Sequence, residues 1–181
     1  MSDIAKTSLT PKKYCQLLSN LVSYYQCSNI LELGTSLGIT TAYLASAREH
    51  VNVSTIEACP QISKIALETF AKLNIDNVTL HNKPFDEVLP ELYKKKSIFD
   101  FIFIDGNHTK EATIRYFNQC LKLSHKESII VLDDIYLTQE MNQAWTEIVA
   151  NENVAISIDI YKFGIVFLKQ GIVKQHFTIR Y

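Results

Sequence analysis

The run Asn29-Ile-Leu-Glu-Leu-Gly-Thr-Ser-Leu-Gly38 changes character midway, from an apolar strand pattern to a turn bounded by two glycines. A short apolar stretch that stops at glycine reads as a buried strand, and residues 39–48 behind it read as a helix by their Ala and Leu content. Gly34 permits the backbone geometry of a tight strand-to-helix turn, and Gly38 lets the helix pack closely on the sheet. The order is acid, glycine, small polar pair, glycine: Glu32, Gly34, Thr35 with Ser36, then Gly38. A dinucleotide-binding loop instead reads G-x-G-x-x-G and sets a pyrophosphate against amides at a helix N-terminus. A carboxylate at Glu32 would repel that pyrophosphate, so the loop suits a ligand with an ammonium group and no phosphate.

The alternation of strand and helix continues on both sides. Upstream, Thr10 is placed to cap a helix whose first turn takes Pro11 and whose apolar face is Leu17, Leu18, Leu21 and Val22. Downstream, strands over 51–57, 78–82, 99–105 and 128–133 alternate with helices over 60–73, 85–93, 111–123 and 139–150. Parallel neighbours need a crossover, so the pattern predicts an α/β fold of three layers, α/β/α, around a mostly parallel sheet. The nearly unbroken apolar runs 101–104 and 129–132 agree, because such strands are covered on both faces. Segments 154–161 and 164–168 are too close for a crossover helix and must pair antiparallel around Lys162-Phe163; 171–181 reads as a final edge segment. Ligands in such sheets bind beyond the carboxyl ends of the strands. That rule directs attention to 33–38, Glu57, 82–85, 105–108 and Asp133-Asp134.

At 181 residues the chain fits one domain, with residues 1–28 as a small helical cap. A net charge of −1 advertises neither nucleic acid nor an anionic membrane, and Lys94-Lys95-Lys96 reads as the solvated end of a helix. No apolar run approaches the ~20 residues of a membrane span, and the first eleven residues lack the apolar core of a signal peptide. Cys15, Cys27, Cys59 and Cys120 form no CxxC pair, so free and mostly buried thiols in a reducing cytoplasm are expected. His50, His81, His125 and His176 read as structural or exposed, and Trp145 with Met141 and Ile148 as a packing face.

The segment from Ile30 to Gly38 resembles motif I of the class I S-adenosylmethionine-dependent methyltransferases, usually written E/D-x-G-x-G-x-G. Glu32, Gly34 and Gly38 match, and Ser36 stands at the middle glycine. The resemblance implies a Rossmann-like fold with an antiparallel last strand, S-adenosylmethionine as cofactor, and cofactor-binding roles for Glu32, Gly34, Thr35, Ser36 and Gly38. Glu57 ends the second strand 23 positions after Gly34 (57 − 34), close to the roughly 20-residue offset at which an acid meets a ribose hydroxyl. In the family the matching acid binds both ribose hydroxyls. Asn82-Lys-Pro-Phe85 falls where the family contacts adenine; Phe85 either covers the ring or packs inward at a helix start.

Two further runs, Phe99-Asp-Phe-Ile-Phe-Ile-Asp-Gly-Asn-His108 and Ile129-Ile-Val-Leu-Asp-Asp-Ile135, each lead a hydrophobic strand into carboxylates. Asp105, Asp133 and Asp134 are expected to converge at the edge of one pocket, where hard oxygens suit Mg2+ or another divalent cation. This resembles the catechol-type small-molecule O-methyltransferases, whose metal chelates the acceptor oxygens and lowers their pKa. Their general base follows the strand-four motif by three positions, which is His108 here. Asp134 departs from the Asn common in those enzymes, and three carboxylates without a metal would repel one another. Asp105 then serves to position the cofactor's methionine end or the acceptor. Asp133-Asp-Ile-Tyr with Glu140-Met-Asn-Gln-Ala-Trp145 further resembles bacterial members of the superfamily.

The implied activity is in-line methyl transfer to a small-molecule acceptor, with oxygen the expected nucleophile. The short cap leaves the acceptor pocket open or completed by another subunit, which makes a homodimer one expected solution. Two other functions share the fold. One is a cofactor-binding or degenerate interaction module without turnover, and the other is an NAD-linked oxidoreductase, against which the missing G-x-G-x-x-G and Glu32 both count.

Overall fold

The computed structural model describes residues 10–169 and 171–181, so Met1 to Leu9 of the expected cap lie outside the described residues. The chain forms two compact units that divide between Val88 and Leu89.

The first unit begins with helix α1 (Lys12–Tyr24), followed by β1 (Asn29–Leu33), α2 (Ile39–Ala45), β2 (Asn52–Ile56), α3 (Pro60–Lys72) and β3 (Val78–His81). Pro11, not Thr10, occupies the N-cap position of α1, with no side-chain hydrogen bond. The buried stripe of α1 is Tyr14, Cys15, Leu18 and Val22. It is rotated from the expected one, because Leu17 and Leu21 are only half-buried. The strands run β3-β2-β1, all parallel, with Leu31 opposite Ser54 and Thr55 opposite Leu80. Ile30, Leu31, Leu33, Val53 and Ile56 are almost wholly buried, as expected of strands covered on both faces.

Helix α4 (Phe85–Lys94) carries the division between the units and leaves Lys94, Lys95 and Lys96 exposed. The second unit then runs β4 (Phe99–Ile104), α5 (Lys110–Leu121), β5 (Ser124–Asp133), α6 (Gln139–Ala150), β6 (Ile156–Asp159), β7 (Phe163–Phe167) and β8 (Gln175–Thr178). Its strand order is β4-β5-β7-β6-β8. β4 and β5 pair in parallel, β7 runs antiparallel to both β5 and β6, and β8 adds an edge strand parallel to β6. The antiparallel β6–β7 pair matches the sequence expectation, but β7 is inserted between β5 and β6 and the last strand is β8. β5 begins at Ser124, four residues before its apolar run, and its pairing with β4 shifts register between Phe99 and Phe101.

Threonines cap two helices of this unit: Thr109 accepts a hydrogen bond from the Ala112 amide, and Thr138 accepts one from the Met141 amide at 3.1 Å. Each such cap contributes about 1 kcal/mol. Met141, Trp145 and Ile148 are buried, as the packing-face reading required. Trp145 lies flat on Gly164 of β7, where an added Cβ would stand 2.5 Å from the indole. All four cysteines are free thiols, and Cys15, Cys27 and Cys120 are buried. His125 and His176 have local partners: His125 Nε2 lies 2.9 Å from Asp100 Oδ1, and His176 Nδ1 lies 2.8 Å from Ser157 Oγ. Among the described residues no helix is long and apolar enough to cross a membrane.

Candidate functional site

In the first unit the β1–α2 turn is built from three consecutive departures into the left-handed region: Gly34 at φ 102°, Ser36 at φ 47° and Gly38 at φ 80°. At Ser36 that conformation costs about 1–2 kcal/mol for a residue with a Cβ, the physical reason a glycine is usual there. Gly38 answers a different constraint from the one expected. A Cβ there would stand 2.7 Å from Phe70 Cε1 and 3.3 Å from the Ala66 backbone, so its role is to let α2 meet α3 rather than the sheet.

Glu32 does not line the turn. Its side chain is fully buried, and Oε2 accepts hydrogen bonds from Thr41 Oγ1 at 2.5 Å and Thr55 Oγ1 at 2.6 Å. Thr55 Oγ1 in turn lies 2.6 Å from Thr35 Oγ1. Burial pushes the Glu32 carboxyl up to about 7, against the opposing pull of the two threonine hydroxyls. Glu32 underpins the turn through Thr55 and Thr35, and its second oxygen, Oε1, is buried without a hydrogen-bond partner among the described residues.

Glu57, one residue past β2, stands in the turn itself. Its Oε2 accepts the Ser36 amide at 3.1 Å and its Oε1 the Cys59 amide at 2.9 Å. The Asn82 side-chain amide donates to the Glu57 carbonyl at 2.8 Å and to Ser63 Oγ at 2.9 Å. Ser36, Glu57 and Asn82 of the sequence pattern therefore form one hydrogen-bonded group, joined by Ser63, which the sequence reading did not single out. Phe85 sits half-buried at the first residue of α4. Four of the turn's amides are bonded within the protein. Gly34 and Thr35 donate to the Ile56 carbonyl at 3.0 and 3.3 Å, Ser36 to Glu57, and Gly38 to the Thr35 carbonyl at 2.9 Å. A phosphate cradle needs such amides free. What this turn offers is a half-buried carboxylate, which suits hydroxyl or ammonium donors.

In the second unit β4 delivers Asp105 to its carboxyl end, and His108 follows with Nε2 3.6 Å from Asp105 Oδ1. Both side chains keep partial access to solvent. Asn107 between them takes a left-handed φ of 52° and donates to the Tyr116 hydroxyl at 3.4 Å, which turns the loop so that the His follows the Asp. β5 ends in Asp133, almost wholly buried, and Asp134, half-buried with a left-handed φ of 52°. Asp105 is within hydrogen-bonding reach of Asp133.

The residue that sequence reasoning missed is Lys162. Its Nζ lies 2.9 Å from Asp133 Oδ1, 3.3 Å from Asp133 Oδ2 and 2.7 Å from Asp134 Oδ1. Burial, then the neighbouring Asp134, push the Asp133 carboxyl up, and Lys162 pulls it back down. Burial alone would depress the Lys162 ammonium, but the two carboxylates outweigh it and hold it above the usual lysine range. Among the described residues no three His, Cys, Asp or Glu side chains are grouped as a metal ion would require. Of the expected ligand set, Asp133 and Asp134 both meet the Lys162 ammonium, and Asp105 faces His108.

The turn that presents Lys162 is itself fixed. Buried Asp159 accepts the Tyr161 amide at 2.8 Å through Oδ1 and the Tyr136 hydroxyl at 2.6 Å through Oδ2. Tyr136 and Tyr161 stack at 5.4 Å with their planes 15° apart, both largely exposed. The hydrogen bond to Asp159 raises the Tyr136 phenol. A signal for Lys162 did exist in the chain, since it sits in the tight connection before Phe163; only the Asp133–Phe163 register brings that turn to the end of β5.

A family model described as a methyltransferase domain matches residues 31–135. The chain is 32% identical over 126 residues to a catechol O-methyltransferase of Niastella koreensis, an alignment covering 68% of this chain and 55% of that one. The chain thus spans about half the length of the curated relatives it matches. Its fold is that of solved Rossmann-like methyltransferases. An O-methyltransferase from Streptomyces achromogenes, solved with S-adenosylmethionine, superposes with a TM-score of 0.79 at 22% identity, covering 90% of this chain and 82% of the other. A Bacillus cereus O-methyltransferase solved with S-adenosylhomocysteine does so with a TM-score of 0.77 at 25% identity, covering 89% and 83%. With the matched segment extending over more than half of its length, from β1 through the acids that end β5, this chain belongs to the methyltransferase domain family.

Proposed function

We propose that the protein transfers the methyl group of S-adenosylmethionine to a hydroxyl oxygen of a small molecule. The observation that carries this is the Glu57 carboxylate bonded to the Ser36 amide beside the β1–α2 turn. Such a carboxylate accepts from a ribose diol. The missing G-x-G-x-x-G counts against the NAD-linked reading.

When bound, S-adenosylmethionine supplies a methyl group on a positively charged sulfur, open to attack by a nucleophile. Glu57, Thr35, Ser36 and Asn82 hold the cofactor in this reading, Phe85 flanks its base, and Gly34, Gly38 and the buried Glu32 maintain the turn. On the acceptor side Asp105, whose Oδ1 lies 3.6 Å from His108 Nε2, orients the ring and stabilises the imidazolium that forms, while the opposite ring nitrogen, Nδ1, takes the hydroxyl proton. A lone pair of the acceptor oxygen forms the new bond to the methyl carbon as the carbon–sulfur bond breaks, its electron pair remaining on sulfur. Holding the two reactants in line supplies much of the rate.

The near-zero net charge supports a small acceptor rather than nucleic acid. The four free thiols support a reducing, cytoplasmic setting, and a second copy completing the acceptor side belongs to the same reading.

Calorimetric titration with S-adenosylmethionine and S-adenosylhomocysteine tests the proposal. Wild type is expected to bind, and Glu57→Ala to bind about 10- to 100-fold more weakly, the loss of hydrogen bonds to a charged acceptor. A folded wild type that binds neither compound would refute it and leave a degenerate interaction module as the reading.

A further inference from the structure

We infer that the Lys162 ammonium is the resident cation of the Asp133–Asp134 carboxylate pair, so that the acceptor side of this protein works without a divalent metal ion. What this implies for the acceptor side rests on the proposed reaction, while which cation the second unit holds is tested separately from it.

Three observations converge on it. The ammonium reaches three carboxylate oxygens on two residues, at 2.7, 2.9 and 3.3 Å. An ammonium has three N–H donors, as many as the carboxylate oxygens it meets here. The contact is also built in rather than incidental. Asp159 pins both the Tyr161 amide and the Tyr136 hydroxyl, and Tyr161 stacks on Tyr136, so the backbone on either side of the β6–β7 turn is held before any ligand arrives. The β5–β7 register then sets Phe163 opposite Asp133, which places Lys162 at the strand end.

The third observation is the charge balance. Asp133 is almost wholly buried, and a buried carboxylate next to a second one needs a counter-charge. Lys162 supplies it from within the chain. A divalent ion seated on both acids would have to displace the ammonium and leave it, still 81% covered, against a like charge. Lys162 is thus a positioning residue: it fixes Asp133 and Asp134 and holds a permanent positive charge at the end of β5.

The test is Mn2+ binding to the full chain, followed by electron paramagnetic resonance and calorimetry, for wild type, Lys162→Met and Lys162→Arg. Wild type is expected to show no saturable Mn2+ site tighter than about 1 mM, the weak end of carboxylate-based cation sites. Lys162→Met, which keeps an aliphatic stem, should expose the acid pair and bind Mn2+ at least about 10-fold more tightly. Lys162→Arg should behave as wild type. A stoichiometric wild-type site in the micromolar range that Asp133→Asn abolishes would overturn the inference, and that titration stands even if Lys162→Met fails to fold. Folded Lys162→Met that binds no Mn2+ would overturn it too, since the ammonium would then occupy no cation site. An S-adenosylmethionine titration of the same samples separates either result from a failure of the proposed reaction.

Discussion

The two units place acids at the ends of their strands and neutralise them by opposite means. In the first, Glu32 Oε2 and both oxygens of Glu57 meet neutral donors, threonine hydroxyls for one residue and backbone amides for the other. In the second, Asp133 and Asp134 share an ammonium, and Asp105 faces an imidazole. Neutral donors leave the first site negative on balance, which favours hydroxyl-rich or cationic ligands. In the second, a fixed ammonium offsets part of the acids' charge where the strand ends. The difference teaches that a run of strand-end carboxylates is not one kind of site; the partners decide what each acid can do.

The comparison breaks most visibly at His108. If the second unit handles the acceptor proton, His108→Ala should lower kcat by about 10²- to 10⁴-fold and leave S-adenosylmethionine affinity unchanged. Initial rates with an acceptor found by screening small hydroxylated compounds, beside calorimetry on the same variant, check this. A rate unaffected by the substitution would remove the histidine from the chemistry.

The first unit's turn breaks next at Gly38. Gly38→Ala combines a left-handed backbone with a Cβ 2.7 Å from Phe70 and should destabilise the protein by about 3 kcal/mol, read from urea melts. A loss under about 1 kcal/mol would mean that α3 yields easily, and that close packing of α2 on α3 does not set the turn.

Glu32 sharpens the contrast through pH. Its carboxyl is held at about 7 in the folded protein against an ordinary 4.5, so the folded state keeps a proton that the unfolded state releases. The stability this group contributes is complete below about pH 4.5 and is lost as pH rises to about 7, on the order of 3 kcal/mol in all. Glu32→Gln should abolish that part of the slope, seen as the difference between wild-type and variant urea melts at pH 5, 6, 7 and 8. Parallel curves would show that Glu32 ionises freely and that its floor of hydroxyls is looser than described.

The smallest effect lies at Ser36. Ser36→Gly relieves a left-handed serine while keeping the amide that Glu57 accepts, and should stabilise the protein by about 1 kcal/mol in the same melts. A loss instead would point to a contribution of the serine hydroxyl to the turn.

What could be read in the chain beforehand follows the same division. The Gly34–Gly38 turn and the strand–helix order were legible because they depend on residues adjacent in sequence: apolar runs, glycines and a proline at the start of α3. Glu57 was legible because a strand end lies one turn-helix-strand unit after the first glycine, a separation set by the βαβ geometry. Other features needed contacts that sequence distance hides. The pattern showed Gly38 as a close-packing point but not its partner, because Phe70 reaches it from the next helix. The pattern set Glu32 near the turn but did not show that Thr41 and Thr55, from the next helix and strand, bond its carboxyl.

By itself, then, the sequence determined the α/β order, the turn after β1, the acids at the strand ends and the histidine three residues after Asp105. Each is encoded over a few neighbouring residues, where backbone sterics and side-chain periodicity act. Only the tertiary structure decided which cation meets which acid. Insertion of β7 between β5 and β6 carries Lys162 to Asp133 and Asp134 across 28 to 29 positions of chain. Strand pairing of that kind is set by how whole faces bury, a global property that no local run of residues expresses.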